Sequence, residues 1–147
     1  MTAECIVGLM LEKGGREPQY QTQGSAGLDI AARLERPLKI DPLERLSVPT
    51  GIYIALPEGC EAQIRPRSGL SIKKGITCIN SPGTIDSDYR GEIRVLLVNL
   101  GKEAAWIRDG DRIAQLVISK VVKAKFQRIE AIPPTERGTG GFGSTGL

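Results

Sequence analysis

Histidine is absent from the 147 residues, and aromatic side chains are few, with one tryptophan, three tyrosines and two phenylalanines. Without histidine the chain can form neither a Ser-His nor a Cys-His nucleophile pair, nor a histidine general base. Any acid–base chemistry must therefore use a carboxylate, tyrosine, lysine or a metal-bound water. Apolar stretches are strand-sized, far below the ~18 residues of a membrane-spanning helix, and we expect no membrane association.

The three cysteines and the modest charge also exclude several classes of protein. Cys5, Cys60 and Cys78 are odd in number and show no C-x-x-C spacing, which disfavours a disulfide framework or a metal knuckle and favours reduced, buried thiols. The net charge of +3 comes from Lys and Arg spread along the chain, so no nucleic-acid surface is predicted. The amino terminus lacks the pattern of a secretory signal. We therefore expect a cytoplasmic protein.

Short β-type runs separated by turn residues dominate the chain. Eighteen glycines and nine prolines accompany these runs, a composition typical of a β-sandwich or barrel. One or two helical turns are predicted at 68–74. After Pro133-Pro134 the chain becomes too glycine-rich to build a core, so it forms either a loose tail or an arm that orders on a partner. The predicted strands are 4–11, 51–56, 60–66, 75–80, 92–99 and 112–122.

Two segments in the first half of the chain carry charged and polar groups that could form part of a functional site. Asp29 lies in a run of small and apolar residues, 25–32, where an unpaired carboxylate is costly to bury; a turn that pairs it with a backbone amide is the plain alternative. The segment Arg65-Pro66-Arg67-Ser68-Gly69 places guanidinium, hydroxyl and a glycine amide together, which suits phosphate oxygens. A simple turn at the end of a strand is equally consistent with it.

Three later segments have the same ambiguity. Segment 80–91 can present an amide, a carboxylate and an aromatic face to a ligand, or form an ordinary hairpin with Asx-type turns. In segment 109–117, Gln115 stands among apolar neighbours and needs a hydrogen-bond partner, which a backbone group would satisfy. Segment 137–146 has glycines that allow backbone amides to converge on an anion, or it is a disordered tail. Singly, the five segments indicate only phosphate and divalent-cation binding on a β-rich domain.

Together and in this order, the five segments resemble the five motifs of the trimeric dUTPases, over residues 25–147. The resemblance implies an all-β, jelly-roll-like β-barrel spanning residues 1–132. It also implies a flexible C-terminal arm, 133–147, that closes over a site of a neighbouring subunit in a homotrimer. The implied reaction converts dUTP to dUMP and pyrophosphate, which keeps uracil out of DNA and supplies dUMP for thymidylate synthesis.

The resemblance also implies roles for individual residues. Asp86 resembles the general base that activates water for attack on the α-phosphorus, a task that a carboxylate can perform. Asp29 resembles the carboxylate that meets Mg²⁺ through water, and Phe142 would stack on uracil. Residues implied to hold the phosphates are Arg67, Ser68, Gly69, Gln115, Arg137, Gly141, Gly143, Ser144 and Thr145.

Base and sugar selection are implied for the third segment and the strand after it. Tyr89 would pack flat on the deoxyribose and exclude a 2′-hydroxyl, while Arg94 would use only its backbone. The implied contacts to the uracil edge come from Asn80, Gly83, Thr84, Ile85 and Arg94.

Two other functions fit the same segments. A dCTP deaminase resembles dUTPase in fold, but it needs a glutamate near the base where this chain has Ile85 next to Asp86. A non-catalytic nucleotide-binding regulator on this fold could lose Asp86 or the arm, and this chain keeps both.

Overall fold

Eleven β-strands and one short α-helix make up the regular structure of residues 4–143, the part of the chain that the computed structural model describes. The strands are β1 (Gly8–Leu11), β2 (Gln19–Tyr20), β3 (Leu28–Ala31), β4 (Leu38–Ile40), β5 (Arg45–Ala55), β6 (Cys60–Arg65), β7 (Ile76–Cys78), β8 (Gly83–Ile85), β9 (Ile93–Asn99), β10 (Ala105–Ile107) and β11 (Arg112–Lys120), with α1 at Ser68–Lys74.

The strands form antiparallel sheets around one apolar core. The larger sheets have the strand orders β1-β5-β9-β7 and β2-β3-β11-β6-β8, and β10 pairs with β4. Alternation along β9 shows how the sequence places the core, since Ile93, Val95 and Leu97 are fully buried while Arg94 and Leu96 point outwards. A period of two with one apolar face is what a half-buried strand requires. The predicted all-β, jelly-roll-like barrel is confirmed.

All six predicted β-type runs contain a strand, and α1 occupies the predicted helical segment. The helix ends at Gly75, which has a φ of 68° and donates its N–H to the Ser71 carbonyl at 2.9 Å. A left-handed cap of this kind favours glycine, because it has no Cβ. No helix in the described part of the chain is long and apolar enough to cross a membrane.

The prediction of buried thiols is correct for only one of the three cysteines. Cys78 is buried, and that burial raises the pKa of its thiol to about 11. Cys60 is half-buried, whereas Cys5 is exposed with its Sγ atom 3.6 Å from Cys60 Sγ. All three are free thiols, as predicted; Cys5 is exposed because residues 4–6, just before β1, lie at the surface.

The five-stranded sheet brings four of the five sequence segments side by side. Asp29 on β3 pairs with Gln115 on β11, and Gln115 pairs in turn with Arg65 at the end of β6. On the other side of β6, Thr84 of β8 pairs with Gln63. Segments that are far apart in sequence thus become neighbours through strand register.

Candidate active site

A cavity of about 330 Å³ lies beside β8 and the start of β9. Six of the residues that line it carry predicted roles, and sequence reasoning missed the other three. The predicted residues are Asn80, Thr84, Ile85, Asp86, Tyr89 and Arg94, and the others are Ser47, Glu92 and Leu96.

Asp86 and Tyr89 form a tight turn at the mouth of this cavity. The Tyr89 amide donates to the Asp86 carbonyl at 3.1 Å, and the Tyr89 hydroxyl donates to the Glu92 carbonyl at 3.0 Å. The Tyr89 side chain is about half exposed and so is accessible to a ligand. The Asp86 side chain is also exposed, and within residues 4–143 no hydrogen bond or ion pair engages its carboxylate.

Three hydrogen bonds within the chain hold the guanidinium of Arg94. Its guanidinium donates to Glu92 Oε2, Ser47 Oγ and the Ser47 carbonyl, each at 2.9 Å. Glu92 also accepts the amides of Thr50 and Gly51. Partial burial opposes ionisation of Glu92, but hydrogen bonds from Gly51 and Arg94 bring its pKa below the usual value. These contacts direct the Arg94 side chain towards Ser47 and Glu92; that Arg94 meets a ligand only through its backbone stays a prediction.

A second cluster is organised by Asp29, whose side chain is only 12% exposed. Its Oδ1 atom accepts Arg67 Nε at 3.1 Å, and its Oδ2 atom accepts Arg112 Nη1 at 3.0 Å. The turn alternative for Asp29 is wrong, because the residue lies within β3 and pairs with arginines. Removing one partner of such a pair leaves an uncompensated buried charge, so Asp29 and its arginines hold one another in place.

Arg112 is the residue in this cluster that sequence reasoning missed. Arg112 is the first residue of β11 and precedes Gln115 by only three positions. A positively charged residue at the start of an apolar strand was the feature of the sequence that could have indicated its role. Its carbonyl also accepts a hydrogen bond from Arg67 Nη1 at 3.1 Å.

The turn before β11 is anchored by Asp109. Its exposed carboxylate accepts hydrogen bonds from Arg16 and from the amide of Leu34. These contacts, mainly the one with Arg16, lower the pKa of Asp109 to about 2.

Gln115 links the cluster to the segment that precedes α1. Its side-chain amide donates to the Pro66 carbonyl at 2.9 Å, so the backbone partner anticipated for it is present. Gly27 packs so closely that an added Cβ would lie 3.2 Å from Gln115 Cβ and would overlap Gln115 Oε1. The glycine in the first segment therefore makes room for the glutamine of the fourth.

Residues 121–143 follow the last strand and contain no helix or strand. Arg137 donates its Nε–H to the Gly140 carbonyl at 2.8 Å, and the Phe142 side chain is fully exposed. None of the described arm residues, Gly141 and Gly143 among them, lines the cavity beside β8. Ser144 and Thr145 lie outside the described residues.

The cavity and the Asp29 cluster lie at different places on one sheet. Asp86 follows Ile85, which pairs with Ala62, so Asp86 stands level with Glu61. Asp29 stands level with Arg65, four residues further along β6. Four residues span about 13 Å, and the three strand spacings from β8 to β3 span about 14 Å. One chain therefore does not bring Asp86 and the Arg67–Asp29 pair to the same ligand atom.

The fold and these clusters define an all-β barrel with a small-molecule site of carboxylates, arginines and one aromatic ring. Comparison with known proteins makes the assignment specific. The dUTPase family profile matches residues 15–146. Over 135 residues the chain is 58% identical to the deoxyuridine 5′-triphosphate nucleotidohydrolase of Treponema pallidum, covering 91% of this chain and 92% of that protein. The chain belongs to the dUTPase family.

Further relatives agree across nearly the full length. The deoxyuridine 5′-triphosphate nucleotidohydrolase of Fusobacterium nucleatum is 50% identical over 140 residues, covering 95% of this chain and 96% of that protein. Among solved structures, the Staphylococcus bacteriophage 80alpha dUTPase with dUPNHPP has a TM-score of 0.84 at 26% identity, with 97% and 99% coverage. A phage phi11 dUTPase variant, solved with a structural Mg(II) ion, shares the fold at a TM-score of 0.77 and 22% identity, with 86% and 97% coverage.

Proposed function

We propose that this chain hydrolyses dUTP to dUMP and pyrophosphate. The observation that carries the proposal is the cavity beside β8, where Asn80, Thr84 and Ile85 lie next to the exposed face of Tyr89 and the free carboxylate of Asp86. Asn80 and the backbone around Thr84 and Ile85 offer donors and acceptors to a pyrimidine edge. Family membership supports the choice of uracil nucleotide.

Asp86 supplies the general base of the proposed reaction. Its carboxylate accepts a proton from water while the water oxygen bonds to the α-phosphorus. The bond from the α-phosphorus to the α–β bridging oxygen then breaks, and pyrophosphate leaves with that oxygen. An exposed carboxylate with no partner in the described chain can reach such a water without first breaking an ion pair.

Binding of the phosphates falls to the Asp29 cluster and to the arm. Arg67, oriented by Asp29, is proposed to hold the α- and β-phosphates together with Ser68, Gly69 and Gln115. In phosphoryl transfer the protein mainly contributes positioning and charge neutralisation, and a guanidinium fixed by a buried carboxylate is prepositioned for both. From the arm, Phe142 is proposed to stack on uracil, and the terminal phosphate is proposed to bind Arg137, Gly141, Gly143, Ser144 and Thr145.

We further propose that each site is shared between subunits of a homotrimer. A general base must lie within ~3 Å of the water that it activates. Within one chain, however, Asp86 and the Asp29 cluster are separated by about 13 Å along the strands and about 14 Å across the sheet. A neighbouring copy with three-fold symmetry can supply the missing cluster, because head-to-tail contacts that close a ring repeat at every interface. The arm, residues 133–147, is proposed to extend over such a neighbouring site.

Mg²⁺ is proposed to arrive with the triphosphate. No group of three or more His, Cys, Asp or Glu side chains within residues 4–143 is arranged to bind a metal ion. Mg²⁺ is often held by one or two carboxylates and substrate phosphates while it keeps several waters. Asp29 fits such an outer contact, since each of its oxygens can accept a second hydrogen bond. Bound there, the ion would neutralise phosphate charge.

Removing divalent cations is expected to abolish dUTP hydrolysis, since the arginines alone offset the triphosphate charge poorly. Excess chelator should reduce pyrophosphate release to background, and added Mg²⁺ or Mn²⁺ should restore it. Full activity in chelator would show that the reaction needs no metal and would remove Asp29 from the proposed role.

Products formed from dUTP and dCTP separate this function from deamination. The cavity has the uncharged Ile85 next to Asp86, where a deaminase needs a glutamate. We expect pyrophosphate from dUTP and no ammonia from dCTP. Ammonia release from dCTP at a comparable rate would favour the deaminase alternative, and binding of dUTP without turnover would favour a regulator.

The free thiols of Cys5, Cys60 and Cys78 are consistent with the proposed cytoplasmic location.

A further inference from the structure

Gly91, which lies between Tyr89 and β9, is in close contact with the tyrosine ring. An added Cβ at Gly91 would lie 2.6 Å from Tyr89 Cζ and 3.0 Å from Tyr89 Cε2, and it would overlap Tyr89 Oη. Real Cβ atoms essentially never approach heavy atoms more closely than 3.0 Å. The ring therefore occupies the space that any other residue at position 91 would fill.

The backbone on both sides of Gly91 is anchored, so it is not free to move away from the ring. On one side, the Arg90 guanidinium donates to the carbonyls of Ser87 and Tyr89 at 2.7 and 2.9 Å. On the other side, the Glu92 carboxylate accepts the amides of Thr50 and Gly51 at 3.1 and 2.9 Å. With the backbone held, a side chain at position 91 would displace the ring.

Displacing the ring would also disturb the hydrogen bond that holds its hydroxyl end. The Tyr89 hydroxyl donates to the Glu92 carbonyl at 3.0 Å, and the hydroxyl end of the ring lies directly against Gly91. The position of the ring relative to a sugar in the cavity is thus set by the missing side chain at residue 91.

We infer that Gly91 is a specificity-determining residue that positions Tyr89 against the sugar and so excludes ribonucleotides. The inference rests on the proposed function, in which Tyr89 packs against the deoxyribose of dUTP. Gly91 itself touches no substrate. Its effect is to let the ring lie close enough to leave no space for a 2′-hydroxyl.

The test compares kcat/KM for UTP and dUTP in Gly91→Ala, Tyr89→Ala and the double variant. Gly24→Ala is the matched control, because a Cβ at Gly24 meets no atom within 4 Å. Gly91→Ala should raise the UTP to dUTP ratio about 10-fold or more, the scale set by the fit of one small group. Gly24→Ala should leave the ratio unchanged.

The double variant shows whether Gly91 acts through the ring. Once the ring is removed, the added methyl group has nothing to displace, so the double variant should match Tyr89→Ala within about 2-fold. A purely structural role would lower activity on both nucleotides and leave the ratio of Gly91→Ala at the wild-type value, which would overturn the inference. An unchanged ratio in Tyr89→Ala would overturn both the inference and the proposed role of Tyr89.

Folding provides a second measurement if Gly91→Ala is unstable. Circular dichroism should then show that the double variant, which lacks the ring, regains the wild-type spectrum. Failure of the double variant to fold would show that the backbone, and not the ring, requires glycine, and would overturn the inference.

Discussion

Replacement of Asp86 by asparagine is expected to lower dUTP turnover by about 10²–10⁴-fold, the usual effect of losing a general base. Asparagine has nearly the same shape, but it does not accept the proton of the attacking water. Because the Asp86 carboxylate is exposed and makes no ion pair within residues 4–143, the fold and the binding of dUTP should change little. Steady-state kinetics and circular dichroism on the purified variant measure both.

Asp88 provides the matched control for this substitution. It is an exposed aspartate two residues further along the same turn, and it lines the neighbouring groove with Asp86 but not the cavity beside β8. Asp88→Asn should therefore retain turnover within a few-fold of wild type. Near-normal turnover in Asp86→Asn, or an equal loss in both variants, would remove Asp86 from the role of general base.

Mixing two inactive variants is expected to restore about a quarter of the sites. One variant is Asp86→Asn, and the other is a chain that ends at Glu136. This second variant lacks arm residues 137–147 but keeps every described strand, since β11 ends at Lys120. Each alone should be nearly inactive, because every site lacks either its base or its arm. If the chain forms the proposed homotrimer, unfolding the two together and refolding them should yield mixed trimers.

The expected recovery follows from random assembly of symmetric subunits. If base and arm at one site come from different chains, an equal mixture gives each site an intact Asp86 with probability one-half and an intact arm with probability one-half. If both came from one chain, every site would lack one of them and nothing would recover. Mass spectrometry must first show mixed trimers; activity no higher than that of the two parents would then contradict the shared site.

The strands of the core could be predicted from sequence because their apolar pattern is local. Arg45–Ala55 illustrates the limit, since only its second half was predicted. Pro49 and the left-handed Gly51 interrupt the run, and the register of β5 against β9 shifts between Pro49 and Ile52. The pairing with β9 keeps this segment in the sheet, and such long-range pairing leaves little trace in a short window of sequence.

The candidate site residues were assigned from the order of five motifs, not from any one of them. Asp29 shows why: alone it suggested a turn, and its pairing with Arg67 and Arg112 depends on residues 38 and 83 positions away. Neither Arg112 nor Gly91 stood out, because a cation at a strand edge and a glycine in a turn are common. Their importance depends on which side chain folds against them.

The most direct test of dUTP hydrolysis is pyrophosphate release by the wild-type enzyme from each of the eight common nucleoside triphosphates and from dUTP, with Mg²⁺ present. Because the contacts proposed for Asn80 and Tyr89 would select the base and the sugar, dUTP should be hydrolysed with a kcat/KM at least about 10²-fold above that of any other nucleotide. UTP and dTTP are the most informative comparisons, because each differs from dUTP by one group. Equal turnover of dUTP and dTTP or UTP, or no pyrophosphate from dUTP, would contradict the proposed function.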